Sequence, residues 1–146
     1  MDATKLGEDM WTIHLEHMRV LDEIVERSRT RGESGVLLYL YHVGRPMYPG
    51  ELTDKLGLTT GRIANILKVL EHSGLIVRTP DAMDKRRVRV ALTPAGEDQA
   101  RRQNENAIAF HSRLLSKLEP DEAECYMRVM KRLADIFDRE GAGVGQ

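Results

Sequence analysis

Apolar residues recur at steps of three and four between residues 8 and 30, at Trp11, Leu15, Met18, Leu21 and Val25. That spacing lays one apolar stripe along a helix, which Gly32 ends. The next stretch, "GVLLYLYHV" from Gly35 to Val43, is apolar on nearly every side and is expected to be a buried helix, with a buried strand as the alternative. The loop "GRPMYPG" follows, and Pro49 suits the first position of a short helix, "PGELTDKL", that stops at Gly57. In the following segment, "TTGRIANILKVLEHSG", Thr59 or Thr60 serves as N-cap and Gly74 as terminator. Ile63, Ile66, Leu67 and Leu70 share its inward face, leaving Arg62, Asn65, Lys68 and Val69 outside. A short helix, a tight turn and a second helix make a helix-turn-helix.

After Gly74 the period changes from 3.6 to 2. Leu75 and Val77 alternate with Ile76 and Arg78, and Val88, Val90 and Leu92 alternate with Arg87, Arg89 and Ala91. These two strands belong to a hairpin whose connection carries Pro80, Asp81, Asp84 and three consecutive cations, Lys85 to Arg87. Thr93 and Pro94 then cap a long helix with Ala107, Ile108, His111, Leu114, Leu115 and Leu118 along one side. A break at "EPDE" precedes a last helix striped by Ala123, Tyr126, Met127, Met130, Leu133, Ala134 and Phe137. Such stripes commonly fill an intramolecular core. Here they lie far along the chain from the hairpin lobe, and pairing with a twin chain is the economical way to cover them.

The expected fold is mainly α with a small antiparallel β-hairpin: a winged helix-turn-helix with long N- and C-terminal dimerisation helices. One domain spans 1–146, with dimerisation helices at 1–32 and 94–140, the winged lobe at 33–93 and a flexible tail at 141–146.

Composition changes this picture little, but charge does. Net charge is −1, yet residues 45–92 carry 9 Lys or Arg against 5 Asp or Glu, while residues 1–44 carry 5 against 8 and residues 93–146 carry 8 against 10. A basic centre between acidic flanks suits a phosphate-binding face mounted on a separate scaffold. No apolar run approaches the ~20 residues of a membrane span, and the start has neither a basic n-region nor an apolar h-region, which points to the cytoplasm. Cys125 is the only cysteine, so an internal disulfide and a cysteine-built zinc module are both excluded.

The segment "ELTDKLGLTTGRIANILKVLEHSGLIVRTPDAMDKRRVRVALTPAG", residues 51–96, resembles the MarR family of transcriptional regulators, with "LGL", "LEHSGLI", the wing "DKR" and "LTPAG" in that family's order. A hairpin holds a side chain out where it can enter the minor groove, whose focused negative potential attracts a guanidinium. The resemblance gives this role to Arg86. Asp84 would orient it by a charge-assisted hydrogen bond, and Lys85 and Arg87 would meet phosphates. The helix from Thr60 would read the major groove, with Arg62 and Asn65 at base edges and Lys68 on a phosphate. Thr59, Thr60 and the N–H groups beside Gly61 would take a phosphate at the helix N-terminus. Two positions depart from the family pattern: Gly61 stands where Ser is common, and Asn65 where Arg is common. The resemblance further implies a two-fold dimer on a pseudo-palindromic site, half-sites ~34 to 36 Å apart.

Other chemistry is thin. His14, His17, His42 and His111 could gather with Glu23 or Glu26 around zinc, although isolated histidines on amphipathic helices are usually packing or surface residues. Cys125 sits in the last helix, whereas oxidant-sensing relatives place a cysteine near the N-terminus. Trp11, Met18, Tyr39, Tyr41, Met47 and Tyr48 could line an effector pocket, as relatives suggest, or fill a core. No P-loop, H-E-x-x-H or nucleophile-elbow motif occurs, and no acid, base and nucleophile set can be assembled. The expected function is therefore not enzymatic and needs no cofactor: a homodimeric, ligand-responsive repressor of transcription acting on double-stranded DNA. The alternative is a winged-helix module for protein contacts.

Overall fold

The computed structural model describes residues 1–19 and 32–140. Leu21 and Val25 of the first stripe, and the tail at 141–146, lie outside them. The chain divides into two compact units, Met1–Ala107 and Ile108–Gln146.

The first unit opens with α1, Ala3–Glu16, which begins earlier than its apolar spacing suggested. The Asp2 carboxylate caps it, accepting from the N–H groups of Thr4 and Lys5 at 3.0 and 3.2 Å. Its apolar residues are exposed, including Leu6, Met10, Trp11, Ile13 and Leu15. The stretch expected as a buried helix is one, α2, Glu33–Val43, and it buries Gly35, Val36, Leu37 and Leu40. Gly44 closes it in the left-handed conformation, φ 67°.

Next come α3, Pro49–Leu56, ended by left-handed Gly57, and α4, Thr60–His72, whose Thr59 hydroxyl accepts from the Arg62 N–H at 3.3 Å. Strands β1, Ile76–Pro80, and β2, Val88–Leu92, pair antiparallel in the register Ile76↔Leu92 to Pro80↔Val88. Met47 adds a one-residue bridge to β2, exchanging both backbone hydrogen bonds with Val90 at 2.8 and 2.9 Å.

Leu52 of α3, Ile63, Ile66, Leu67 and Leu70 of α4, Ile76 and Val90 of the hairpin and three residues of α2 form one core with Met47 and Ala100. This core is what fixes α4 and the hairpin to a common body.

Helix α5, Pro94–Leu115, starts against that body. Thr93 donates its hydroxyl to the Gly74 carbonyl at 2.6 Å and accepts from the Gly96 N–H at 3.1 Å, while its own N–H reaches the Leu75 carbonyl at 3.0 Å. Because α5 ends at Leu115, Leu118 falls beyond the stripe expected to include it. The second unit carries the end of α5 and α6, Pro120–Glu140. On α6, Tyr126, Met127, Met130, Leu133 and Phe137 are all exposed. Among the described residues no helix is long and apolar enough to cross a membrane.

Candidate nucleic-acid interface

Helix α4 has the period its sequence requires. With Ile63, Ile66, Leu67 and Leu70 turned into the core, Arg62, Asn65 and Lys68 are left exposed on the opposite side. Thr59, Thr60 and Gly61 are exposed at its N-terminal end, where backbone N–H groups without helical partners favour an anion.

At the wing tip, Asp84 organises Arg86 with one carboxylate oxygen. Its Oδ1 accepts from the Arg86 backbone N–H at 3.1 Å and from Nε at 3.3 Å. Arg86 nevertheless keeps 93% of its side chain exposed, so the pair aims the guanidinium without consuming it. Lys85 beside it is exposed and Asp84 half-buried.

Arg87 is held differently from its neighbours. Its guanidinium lies over the Tyr48 ring, 3.7 Å from the centroid, and its backbone N–H donates to the Asp84 carbonyl at 2.9 Å. The Tyr48 hydroxyl in turn donates to Oδ2 of Asp81 at 2.5 Å. Asp81 Oδ1 accepts from the N–H groups of Met83 and Asp84 at 2.8 and 3.1 Å, and Arg89 Nε stands 3.6 Å from Oδ2. Asp81 is the buried charged residue of the described chain. The Tyr48 hydroxyl, followed by the two backbone N–H groups and then Arg89, holds its carboxyl down to about 2, while the same bond pushes the Tyr48 phenol up.

The chain of contacts continues away from the wing. The Glu51 carboxylate accepts from the Tyr48 N–H at 2.8 Å and from Arg45 Nη2 at 2.8 Å. Arg45 first, then that N–H, keeps the Glu51 carboxyl below its usual range. Polar contacts thus run unbroken from Arg45 through Glu51, Tyr48, Asp81 and Asp84 to Arg86.

The residues considered for an effector pocket are dispersed. Met47 is a core residue and strand partner of Val90, and Tyr48, at the N-cap of α3, is bonded to Asp81 of the wing. Tyr39 is half-buried with its ring tilted against His42, whereas Trp11 is exposed on α1, stacked on His14, and Met18 is exposed. A surface cavity of about 210 Å³ is lined by Leu40, Tyr41, Arg45, Leu92 and Glu97 among others, so Tyr41 alone of the set lies on it. Among the described residues no three His, Cys, Asp or Glu side chains form a metal-sized group, and Glu23 and Glu26 lie outside those residues. Cys125 is exposed on α6.

Sequence reasoning gave no role to Asp81 or Arg89 and considered Tyr48 only for an effector pocket or a core. "PDAMD" does signal a turn with Asp at its start, but Tyr48 lies 33 residues away and only the folded core brings it there.

The MarR family model matches residues 27–87, from before α2 to the end of the wing tip. Over this segment the chain is similar to the MarR family. The chain is 32% identical over 89 residues to the HTH-type transcriptional regulator PapX of Escherichia coli, covering 61% of the chain and 54% of PapX. It is 30% identical over 100 residues to the uncharacterized HTH-type transcriptional regulator YkoM of Bacillus subtilis, covering 68% and 64%. In each curated relative it matches, the chain spans less than two thirds of the relative's length. Among solved structures it is similar to MepR, a transcription regulator of the Staphylococcus aureus multidrug efflux pump MepA. That match has a TM-score of 0.60 and 25% identity, and covers 93% of this chain and 99% of MepR.

Proposed function

We propose that this chain is a cytoplasmic transcriptional regulator, without enzymatic activity, that binds double-stranded DNA sequence-specifically as a homodimer. The observation that carries the reading is Arg86: a guanidinium at the tip of a hairpin, oriented by Asp84 yet 93% exposed, on the same body as a helix exposing Arg62, Asn65 and Lys68. Arg86 enters the minor groove, where its charge is most strongly attracted. Helix α4 lies in the adjacent major groove, with Arg62 and Asn65 at base edges, Lys68 on a phosphate, and Thr59, Thr60 and Gly61 around another. Lys85 meets the backbone, and Arg87 can do so only with the guanidinium edge left free by Tyr48.

Dimerisation through the terminal segments, 1–32 and 94–140, is supported by the exposed apolar faces of α1 and α6, each too rich in large side chains to remain wet. A two-fold dimer implies a pseudo-palindromic operator. Repression relieved by a small ligand follows if the ligand prefers a lobe spacing that the operator does not.

Binding to duplex DNA measured against salt, with selection of bound duplexes from a random pool, tests the reading. We expect log K to fall with log[salt] at a slope of about −0.9 per neutralised phosphate, and enrichment of an inverted repeat. Arg86→Ala should cost about 1–3 kcal/mol. A flat salt dependence would move the function to protein contacts.

A further inference from the structure

Tyr48 stands outside the wing and outside α4, at the N-cap of α3, yet it touches the wing with both of its chemical groups. Its hydroxyl is bonded to Asp81 Oδ2 at 2.5 Å, and its ring lies under the Arg87 guanidinium at 3.7 Å. Asp81 divides its two oxygens between two tasks. Oδ1 shapes the turn into the wing tip through the Met83 and Asp84 N–H groups, and Oδ2 ties that turn to Tyr48. A two-stranded hairpin on its own is a pliable element, marginal in water. Here its far end is tethered to the helix-turn-helix by one buried carboxylate.

We propose that Tyr48 is a positioning residue for DNA binding: through Asp81 and Arg87 it locks the wing's pitch relative to α3 and α4, so that Arg86 is already aimed when the duplex arrives. The inference rests on the DNA-binding reading above. Its physical basis is preorganisation, since a wing that must be ordered on contact surrenders part of its binding free energy to that ordering. Arg87 is fixed by the same device. Its stacked guanidinium has one face against the ring and its edge free, an arrangement that orients it for a phosphate at little further entropic cost.

Tyr48→Phe removes the hydroxyl and keeps the ring, so the fold and the Arg87 stack survive. Two measurements then separate the lock from the DNA-binding reading. The first needs no DNA. In the full chain with Cys125→Ser, nitroxides are placed at Lys85→Cys on the wing and Lys55→Cys on α3, and the distance distribution is recorded with and without Tyr48→Phe. The lock predicts a broader distribution in the Phe variant, and an unchanged one overturns it.

The second uses a mixed-sequence duplex at low salt and the duplex recovered by selection. Tyr48→Phe should bind both about five-fold or more weakly. Tyr48→Phe combined with Arg86→Ala should bind less weakly than the two separate losses summed would give, because part of the Tyr48 effect passes through that arginine. A general loss of stability would instead add to the Arg86→Ala effect in the double variant. If Arg86→Ala weakens binding while Tyr48→Phe does not, the lock fails and the DNA-binding reading stands. If the unmodified chain binds neither duplex, that reading fails and takes the positioning role with it.

Discussion

At the scale of single residues, a few polar side chains with several partners each hold the wing in place. Asp81 is the strongest case: folded, its carboxyl sits at about 2 against an ordinary 3.8, chiefly because the Tyr48 hydroxyl donates to it. A carboxyl depressed in the folded state stabilises at pH above the unfolded value, and that contribution vanishes as pH falls from 3.8 through 2. Acid unfolding should therefore show Asp81→Asn less stable than the parent by a constant margin above about pH 5, with the margin closing between those two values. A margin that persists undiminished at the acid end would mean the residue contributes through shape alone. Gly96 is decisive for a different reason. A Cβ there would lie 1.9 Å from the Leu75 carbonyl oxygen, which is backbone and has little room to withdraw. Gly96→Ala should lower stability by about 2 kcal/mol or more in denaturant titration, although alanine is ordinarily the better helix former.

Individual elements show how those atoms are put to use. Helix α4 is amphipathic with a sharp division, so its outer positions can change without loss of core. Asn65→Ala should leave stability within about 0.5 kcal/mol. If Asn65 reads a base, the same change should relax the selected sequence at one position of each half-site, visible when selection is repeated with the variant. An unchanged consensus would remove Asn65 from the reading set. The wing is less autonomous than α4. Its strands are five residues each, Met47 and Val90 lengthen the pairing by one bridge, and Asp81 fastens the tip. The junction after the wing is stiff too, since Thr93 and Gly96 fix the first turn of α5 against Gly74 and Leu75. The "LTPAG" motif thus has a packing reason.

For the molecule as a whole, the question is what covers its exposed apolar residues. Helix α6 presents Tyr126, Met127, Met130, Leu133 and Phe137 to solvent within the single chain. Leu133→Glu should barely affect the fold of one subunit, because that side chain is 43% exposed already. If the proposed homodimer pairs through this face, the change should instead move the sedimentation of the purified protein from dimer to monomer at micromolar concentration and weaken binding to an inverted repeat more than to a half-site. An unaltered sedimentation profile would remove α6 from the proposed dimer contact.

What the sequence determined by itself is whatever repeats locally. The step of three and four specified α4 and its exposed Arg62, Asn65 and Lys68, and the switch to period two specified the hairpin. The spacing of Asp84 and Arg86 already contained their pairing, because partners two residues apart meet in the turn the chain must make. Over Gly35–Val43, where nearly every side is apolar, the sequence favoured a buried helix, but the pattern has too little phase to exclude a strand or to say which side faces the core. Tertiary structure alone decided the fate of Tyr48 and Met47, read as possible pocket residues. Each is placed by partners more than thirty residues away, Asp81 and Val90, which come near only once the core of α2, α3 and α4 has closed. Short-range pattern encodes elements because backbone geometry is periodic; long-range contacts are encoded only in how those elements pack.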